Sequence, residues 1–359
     1  MALLSNLHKT PLLLILLILL LHFFGYAASA ASAPPEGETS PECSKSAGSC
    51  RNKAEALKFK LIAIASILVS SMIGVSLPLF SRGVPALEPD KDLFVVIKAF
   101  ASGVILATGY MHVLPDSIDS LNSNCLPKSP WRKFPFSTFV AMLSAIATLM
   151  VDSFTMSYYR KRFPHVLNGA DREGGQEILG HIGHGHGKIE ERNNDNASSL
   201  IRHRVVAQML ELGIVVHSVV IGLSLGASDN PCTIRPLIAA LCFHQLFEGM
   251  GLGGCILQAE YGVKMKAIMA FFFSFTTPFG IALGIGLSNV YSDNSPTALI
   301  VVGLLDACSA GLLNYMALVE LLASDFMGPK LQASVKLQTW AYFAVLLGAA
   351  GMSVMSLWA

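Results

Sequence analysis

The chain is 359 residues long, and 53% of its residues are hydrophobic whereas only 14% are charged. A soluble globular protein carries roughly 25% charged residues, so the composition argues against a soluble multidomain enzyme. The net charge of +1 gives no basic surface of the kind that binds nucleic acid. Apolar residues are grouped in runs of about 20, the length that spans a bilayer. The sequence therefore predicts a polytopic membrane protein.

The first 31 residues have the pattern of a secretory signal peptide. Lys9 precedes an apolar stretch from Pro11 to Phe24, and small residues follow at 27–33. A positive start, a short apolar core and a small-residue cleavage region are typical of a cleaved signal. Retention of this stretch as a further membrane helix is the alternative. Residues 32–57, rich in Pro, Glu, Ser and Gly, are then an extracellular or lumenal tail.

Eight further apolar runs predict an all-α protein with eight transmembrane helices. Each run is long enough to cross the membrane as a helix, which satisfies its own backbone hydrogen bonds in lipid. A polar loop at 160–204 divides them into helices 1–3, within 58–159, and helices 4–8, within 205–359. The runs are Lys58–Phe80, Leu93–Leu114, Pro135–Tyr159, Val205–Ala227, Ile234–Gln258, Ala267–Val290, Thr297–Leu322 and Leu337–Leu357.

The distribution of Lys and Arg predicts the orientation of these helices. The loops on one side, including the long loop at 160–204, hold most of the loop Lys and Arg residues. Positively charged loops stay in the cytosol. We therefore expect a cytosolic long loop and two extracellular or lumenal termini, with the plasma membrane as the destination and an endomembrane such as the vacuole as the alternative.

The seven cysteines have no zinc-finger spacing, and a disulfide framework is not expected for most of them. Cys125 and Cys232 lie in short predicted loops. Cys43 and Cys50 are the exception, because they lie in a tail that faces an oxidising compartment.

Ionisable residues in predicted helices 4 and 5 form a candidate metal site. An ionisable side chain at membrane depth is expensive to bury, so it indicates function by default. His217 lies ten residues before the outer end of helix 4, and His244 lies ten residues after the outer end of helix 5. Ten helical residues rise about 15 Å, which places both imidazoles near the bilayer midplane. Glu248 follows His244 at i+4 and shares its helix face.

Two imidazoles and a carboxylate at one depth suit a divalent transition metal, with Ser218 and Gln245 as neutral donors. Structural hydrogen bonds between helices and a proton relay are the alternatives for these residues. Gly222 with Gly226, and Gly249 with Gly253, form small-xxx-small patterns, and we expect them to let helices 4 and 5 pack closely against each other.

Other polar residues outline an accessory pathway and a loop site. We expect His112 and Asp116 at the outer end of helix 2, where they could collect cations, and Asp306 within helix 7. Glu211 is an inner way-station or a helix-pairing residue. His181, His184 and His186, in a Gly-rich stretch of the cytosolic loop, favour weak zinc binding, with a solvated linker as the alternative.

Four stretches of this sequence resemble the Zrt/Irt-like (ZIP) family of metal transporters, most closely its plant-type branch. They are HSVVIGLSLG at 217–226, HQLFEG at 244–249, GYMHVLPD at 109–116 and SAGLL at 309–313. The resemblance covers the chain from the signal peptide to the C-terminus, including the His-containing loop.

The resemblance implies a secondary transporter that moves Zn²⁺, or a related cation such as Fe²⁺, Mn²⁺ or Cd²⁺, into the cytosol. It implies a 3+2+3 arrangement, in which helices 1–3 and 6–8 form an inverted repeat around helices 4 and 5. The metal is cargo, and no prosthetic group is implied. Some members hold two metals with extra carboxylates, whereas this chain has Ile221, Ser218 and Gln245 beside its ligands.

The alternative function is a metal-dependent intramembrane hydrolase. Such an enzyme needs three protein ligands, an open water position and a general base, and the His-Glu-x-x-His motif is absent from the sequence. We therefore expect a transporter rather than an enzyme. Its expected partners are divalent metal ions and the lipid bilayer, with no nucleic acid, and homodimerisation stays open.

Overall fold

A computed structural model describes residues 52–80, 91–162, 186–287 and 295–357, and the side chains of 158–199 are outside this description. These parts of the chain form helices and no strands. Eight of the described helices are long and apolar enough to span a membrane, which confirms the predicted fold class. They are α1 (Lys53–Phe80), α2 (Asp92–Leu121), α3 (Phe136–Ser157), α4 (Leu200–Ala227), α5 (Pro231–Gln258), α6 (Val263–Leu287), α7 (Pro296–Phe326) and α8 (Val335–Ser356).

Several predictions fall outside the described residues. The signal peptide, nearly all of the N-terminal tail with Cys43 and Cys50, and the loop histidines His181 and His184 are among them. The backbone of the helix that continues into α4 begins at His186, so part of the segment predicted as a loop is helical.

Two helix starts follow directly from the local sequence. Asn230 accepts a hydrogen bond from the backbone N–H of Cys232 at 3.1 Å, and Ser295 accepts one from Ala298 at 3.3 Å. Each capping residue is followed by proline, which has no N–H to leave unsatisfied in the first helical turn. These caps fix where α5 and α7 begin.

The helix bundle has two ends, the terminal face and the loop face. The terminal face holds the start of α1 at Lys53 and the end of α8 at Ser356. The loop face holds the start of α4 at Leu200 and the end of α5 at Gln258.

The helices pair in a pattern that has the symmetry of the predicted inverted repeat. The most extensive contacts join α5 to α1, α6 to α4, α8 to α2, and α7 to α3. If α1–α3 correspond to α6–α8, the first two pairs are equivalent, and so are the last two. A π-helical segment interrupts α2 at Thr108–Val113, and another interrupts its counterpart α7 at Met316–Ala323. The chain thus forms two groups, α1 with α4–α6, and α2, α3 with α7 and α8.

The glycine pairs of α4 and α5 do not face each other, so the prediction that they bring these two helices together is wrong. Gly222 and Gly226 pack against α6, where a Cβ on Gly226 would lie 2.3 Å from the carbonyl oxygen of Ile281. Gly249 and Gly253 pack against the backbone of α1. The small residues therefore join α4 to α6 and α5 to α1, and these two contacts are equivalent in the inverted repeat.

Cysteine pairing also differs from the expectation. Cys125 and Cys232 are each disulfide-bonded, although both were placed among cysteines not expected to pair. Both lie on the terminal face, one after α2 and the other in the first turn of α5, on the side predicted to meet an oxidising compartment. Among the described cysteines, Cys242, Cys255 and Cys308 are free thiols.

Candidate metal centre

His217, His244 and Glu248 come together between α4 and α5. Each offers one ligand atom, and these atoms all lie within 4.8 Å of one another. The two imidazole centroids are 5.8 Å apart, which agrees with the predicted common depth. The residues are 1%, 0% and 0% exposed, in the order in which they occur. The three side chains thus form one buried donor group from two adjacent helices.

The donor atoms of this group have no hydrogen-bond partner among the described residues. Both ring nitrogens of His217 and of His244, and both carboxylate oxygens of Glu248, are buried and unpaired. A buried polar atom left without a partner costs about 1–3 kcal/mol, so native interiors rarely contain several together. The alternative role of these histidines was to form structural hydrogen bonds between helices. Such bonds are absent from the described part of the chain. Their absence favours a ligand-binding role.

Ser218 and Gln245 are each the next residue after a site histidine. Both are 1% exposed, and Ser218 Oγ and Gln245 Nε2 also have no hydrogen-bond partner in the described residues. They add neutral polar atoms, and no charge, to the interior around the donor group.

His112 lies deeper than the sequence indicated. The prediction placed it at the outer end of helix 2, but α2 continues to Leu121 and His112 is only 5% exposed. Its ring centroid is 6.0 Å from that of His244, so His112 lies beside the donor group. Its Nδ1 atom lies 3.7 Å from Oδ2 of Asp116, whose side chain is 52% exposed. The error arose because the predicted span ended at Leu114, whereas α2 continues beyond a π-helical segment that carries His112. Such segments are common at functional sites.

A cavity of about 290 Å³ lies on the terminal side of the donor group. His112 and His217 line it, together with the carboxylate residues Asp116, Asp119 and Asp306. Asp119 was missed in the sequence, although its position three residues after Asp116 places both on one side of the helix. The cavity combines three carboxyl groups with a direct approach to His217.

The remaining predicted residue lies on the other side of the group. Glu211 is on α4, six residues before His217 toward the loop face, and is half-buried. It lies about 9 Å along the helix axis from His217 and so is separate from the three-ligand group.

Comparison with known proteins identifies the class of the molecule. The family model described as ZIP Zinc transporter matches residues 57–356. The chain belongs to this family. It is therefore a transporter of metal cations rather than an enzyme, and the hydrolase alternative is rejected.

Plant transporters are similar to the chain over most of their length. It is 60% identical to Fe(2+) transport protein 1 of Oryza sativa subsp. japonica over 333 residues, covering 89% of each chain. It is 57% identical to Zinc transporter 7 of Arabidopsis thaliana over 330 residues, covering 89% of this chain and 90% of the relative. Fe(2+) transport protein 1 of Arabidopsis thaliana is 59% identical over 332 residues, with coverage of 90% and 93%.

Proposed function

We propose that the chain carries Zn²⁺, and secondarily Fe²⁺, across the membrane through a single metal site formed by His217, His244 and Glu248. The observation that carries this proposal is the set of three buried ligands whose donor atoms have no other partner. The terminal face is extracellular or lumenal in this proposal, and transport runs toward the cytosolic loop face. The plasma membrane is the proposed location.

The distances within the group support a site for one ion. Zinc bonds to imidazole nitrogen and carboxylate oxygen at about 2.0–2.2 Å, so neighbouring ligand atoms in a tetrahedral site are about 3.3 Å apart. The ligand atoms here lie within 4.8 Å of one another. Closing on an ion therefore requires side-chain movements of about 1.5 Å or less, which rotamer adjustments can supply. Ser218 and Gln245 add no charge that would neutralise a second cation.

The entry route in this proposal follows the cavity on the terminal side. Asp116, Asp119 and Asp306 raise the local concentration of divalent cations, because negative charge in a cleft attracts them. His112 lines the same cavity and lies beside His244, so it is placed to pass an ion from the cavity to the buried ligands.

The choice of metal rests on ligand chemistry and on the relatives. Imidazole with carboxylate suits several divalent first-row metals, including zinc and iron. The similar proteins are named as iron transporters and as zinc transporters, which supports these two ions over Mn²⁺ and Cd²⁺.

The direct test is zinc flux by purified protein in liposomes that contain a fluorescent zinc indicator. His217→Ala, His244→Ala and Glu248→Gln should each lower the flux at limiting zinc by about 100-fold or more, because losing even an outer-shell partner of a metal ligand costs 10–100-fold. The double variant His217→Ala/Glu248→Gln should be little worse than either single variant, since residues that act as one unit are non-additive.

Glu260→Gln is the matched control for Glu248→Gln, because Glu260 is exposed and lies just beyond the end of α5. It should transport zinc at the wild-type rate. Competition by Fe²⁺, Mn²⁺ and Cd²⁺ in the same liposomes ranks the ions. If well-folded His217→Ala and His244→Ala proteins still carry zinc at near wild-type rates, the site assignment is wrong.

A further inference from the structure

A second buried polar group lies on the loop face, away from the metal site. Lys98 on α2 is only 7% exposed, and its Nζ atom lies 2.9 Å from Oδ1 of Asp325 on α7. The same Nζ atom donates a hydrogen bond to Oε1 of Gln258, at the end of α5, at 3.0 Å. We call these three residues the Lys98 cluster. A buried Lys is rare, and here it is compensated by one charged and one neutral acceptor.

The two bonds of Lys98 differ in what they join. α2 and α7 belong to the same group of helices, so the ion pair with Asp325 lies within one group. Gln258 is on α5, in the group that carries the metal ligands, so its bond crosses from one group to the other. If Gln258 moves away, Lys98 keeps its countercharge. Breaking a buried ion pair is costly because it leaves a buried charge unpaired. The Lys98–Gln258 bond between the two groups can break without this cost.

The position of the cluster relative to the metal ligands suggests its role. Gln258 is ten residues after Glu248 on α5, about 15 Å nearer the loop face. Between them, Leu252, Cys255 and Ile256 of α5 are buried in an apolar cluster with side chains of α4, α6 and α7. The cavity on the opposite side reaches His217. In this conformation the donor group therefore has a cavity on its terminal side and packed apolar residues on its loop side.

A second contact joins the two groups of helices at the same face. Nε of Arg202 on α4 lies 3.9 Å from Oε2 of Glu320 on α7. This distance is longer than a direct hydrogen bond, and the Arg202 side chain is 47% exposed, so screening weakens the interaction. The bond from Lys98 to Gln258 is short and part-buried, so it is the stronger of these two connections.

We propose that the Lys98 cluster holds the loop side of the transporter closed, and that metal release requires the Lys98–Gln258 bond to break. The ion pair with Asp325 keeps the ammonium in position on α2 and α7, so that the bond re-forms when the protein closes again. This inference rests on the proposed direction of transport, but its structural content can be measured without transport.

The free thiol of Cys255 provides the measurement. It lies three residues before Gln258 on α5 and is 2% exposed, so it reacts with a maleimide only when the loop side opens. Purified protein in nanodiscs is treated with a polar maleimide, and alkylation of the Cys255 peptide is followed by mass spectrometry. Nanodiscs leave both faces accessible, so the result does not depend on the assigned orientation.

Two substitutions of Gln258 should shift the rate in opposite directions. Gln258→Leu removes the acceptor and should speed alkylation about tenfold, which corresponds to losing one hydrogen bond to a charged group. Gln258→Glu creates an ion pair between the two groups of helices, so it should slow alkylation and also slow zinc flux in liposomes. Gln338→Leu, at the start of α8 on the same face, is the matched control and should leave the rate unchanged.

The outcomes separate this inference from the proposed function. If the maleimide alkylates Cys255 within twofold of the wild-type rate in both Gln258→Leu and Gln258→Glu, the cluster is a packing contact and the inference is overturned. Opposite shifts support it, even in a protein that fails to carry zinc. A loss of zinc flux in the metal-site variants with unchanged alkylation of Cys255 tests the metal site alone. Because Gln258→Glu keeps a polar residue of the same shape, the test survives poor folding of Gln258→Leu.

Discussion

The close contact between α4 and α6 can be tested with two glycines that lie two residues apart on α6. A Cβ on Gly284 would lie 2.4 Å from the carbonyl oxygen of Leu223 and 2.7 Å from the Cα atom of Gly226. Ordinary contact begins at 3.4 Å, so Gly284→Ala requires the two backbones to separate by about 1 Å. A Cβ on Gly286 would meet nothing within 4 Å.

Overpacking of this kind costs about 1–3 kcal/mol, whereas Ala in place of Gly at an unhindered helical position gains up to about 1 kcal/mol. The two variants should therefore differ in stability by about 1–4 kcal/mol. Gly284→Ala should also reduce zinc uptake, because α4 carries His217 and a functional site tolerates displacements of only about 0.5 Å. Gly286→Ala should transport zinc at the wild-type rate.

The assay is thermal unfolding of both purified variants in nanodiscs, with zinc flux measured in liposomes. A lower midpoint and lower flux for Gly284→Ala alone agree with the contact. Equal midpoints and equal fluxes for the two variants would refute the reasoning, because a tight α4–α6 contact cannot accept a methyl group at no cost.

Three further predictions concern the topology, the loop and the number of metal ions. Asn196-Ala197-Ser198 is the sole N-glycosylation sequon of the chain and lies in the segment assigned to the cytosol, so it should stay unglycosylated in a eukaryotic host. A glycosidase-sensitive mass shift would invert the assigned orientation. Deletion of residues 181–186 should leave zinc flux in place and change its regulation or selectivity, because a loop outside the bilayer cannot line the midplane. Purified protein that lacks the loop histidines should bind one zinc ion per chain when the buried site is saturated. Elemental analysis counts the bound zinc, and two ions per chain would indicate a further set of ligands.

The part of the site that the sequence predicted is the part governed by helical geometry alone. The common depth of His217 and His244, and the shared helix face of His244 and Glu248, follow from helix length, rise per residue and the i+4 rule. The ring centroids of the two histidines are 5.8 Å apart, which agrees with the predicted common depth.

What the sequence did not predict depends on departures from regular geometry or on distant neighbours. His112 was placed at a surface because the predicted helix stopped early and the π-helical segment has no sequence signature of its own. The disulfide bonding of Cys125 and Cys232 depends on which segments meet at the terminal face. Spacing along the chain defines a helix face, but it does not say which helix covers that face.

The glycines of α4 and α5 illustrate this limit and also explain how the ligands are positioned. Gly226 is nine residues after His217, and Gly253 is nine residues after His244. Nine residues at 100° each bring the chain to about 180° from its starting direction, so each glycine lies on the face opposite its histidine. If the histidines face each other, the glycines must face outward, where they contact the backbones of α6 and α1. Each ligand-bearing helix is therefore held from behind by a close backbone contact, and the two equivalent contacts of the inverted repeat together set the distance between the imidazoles.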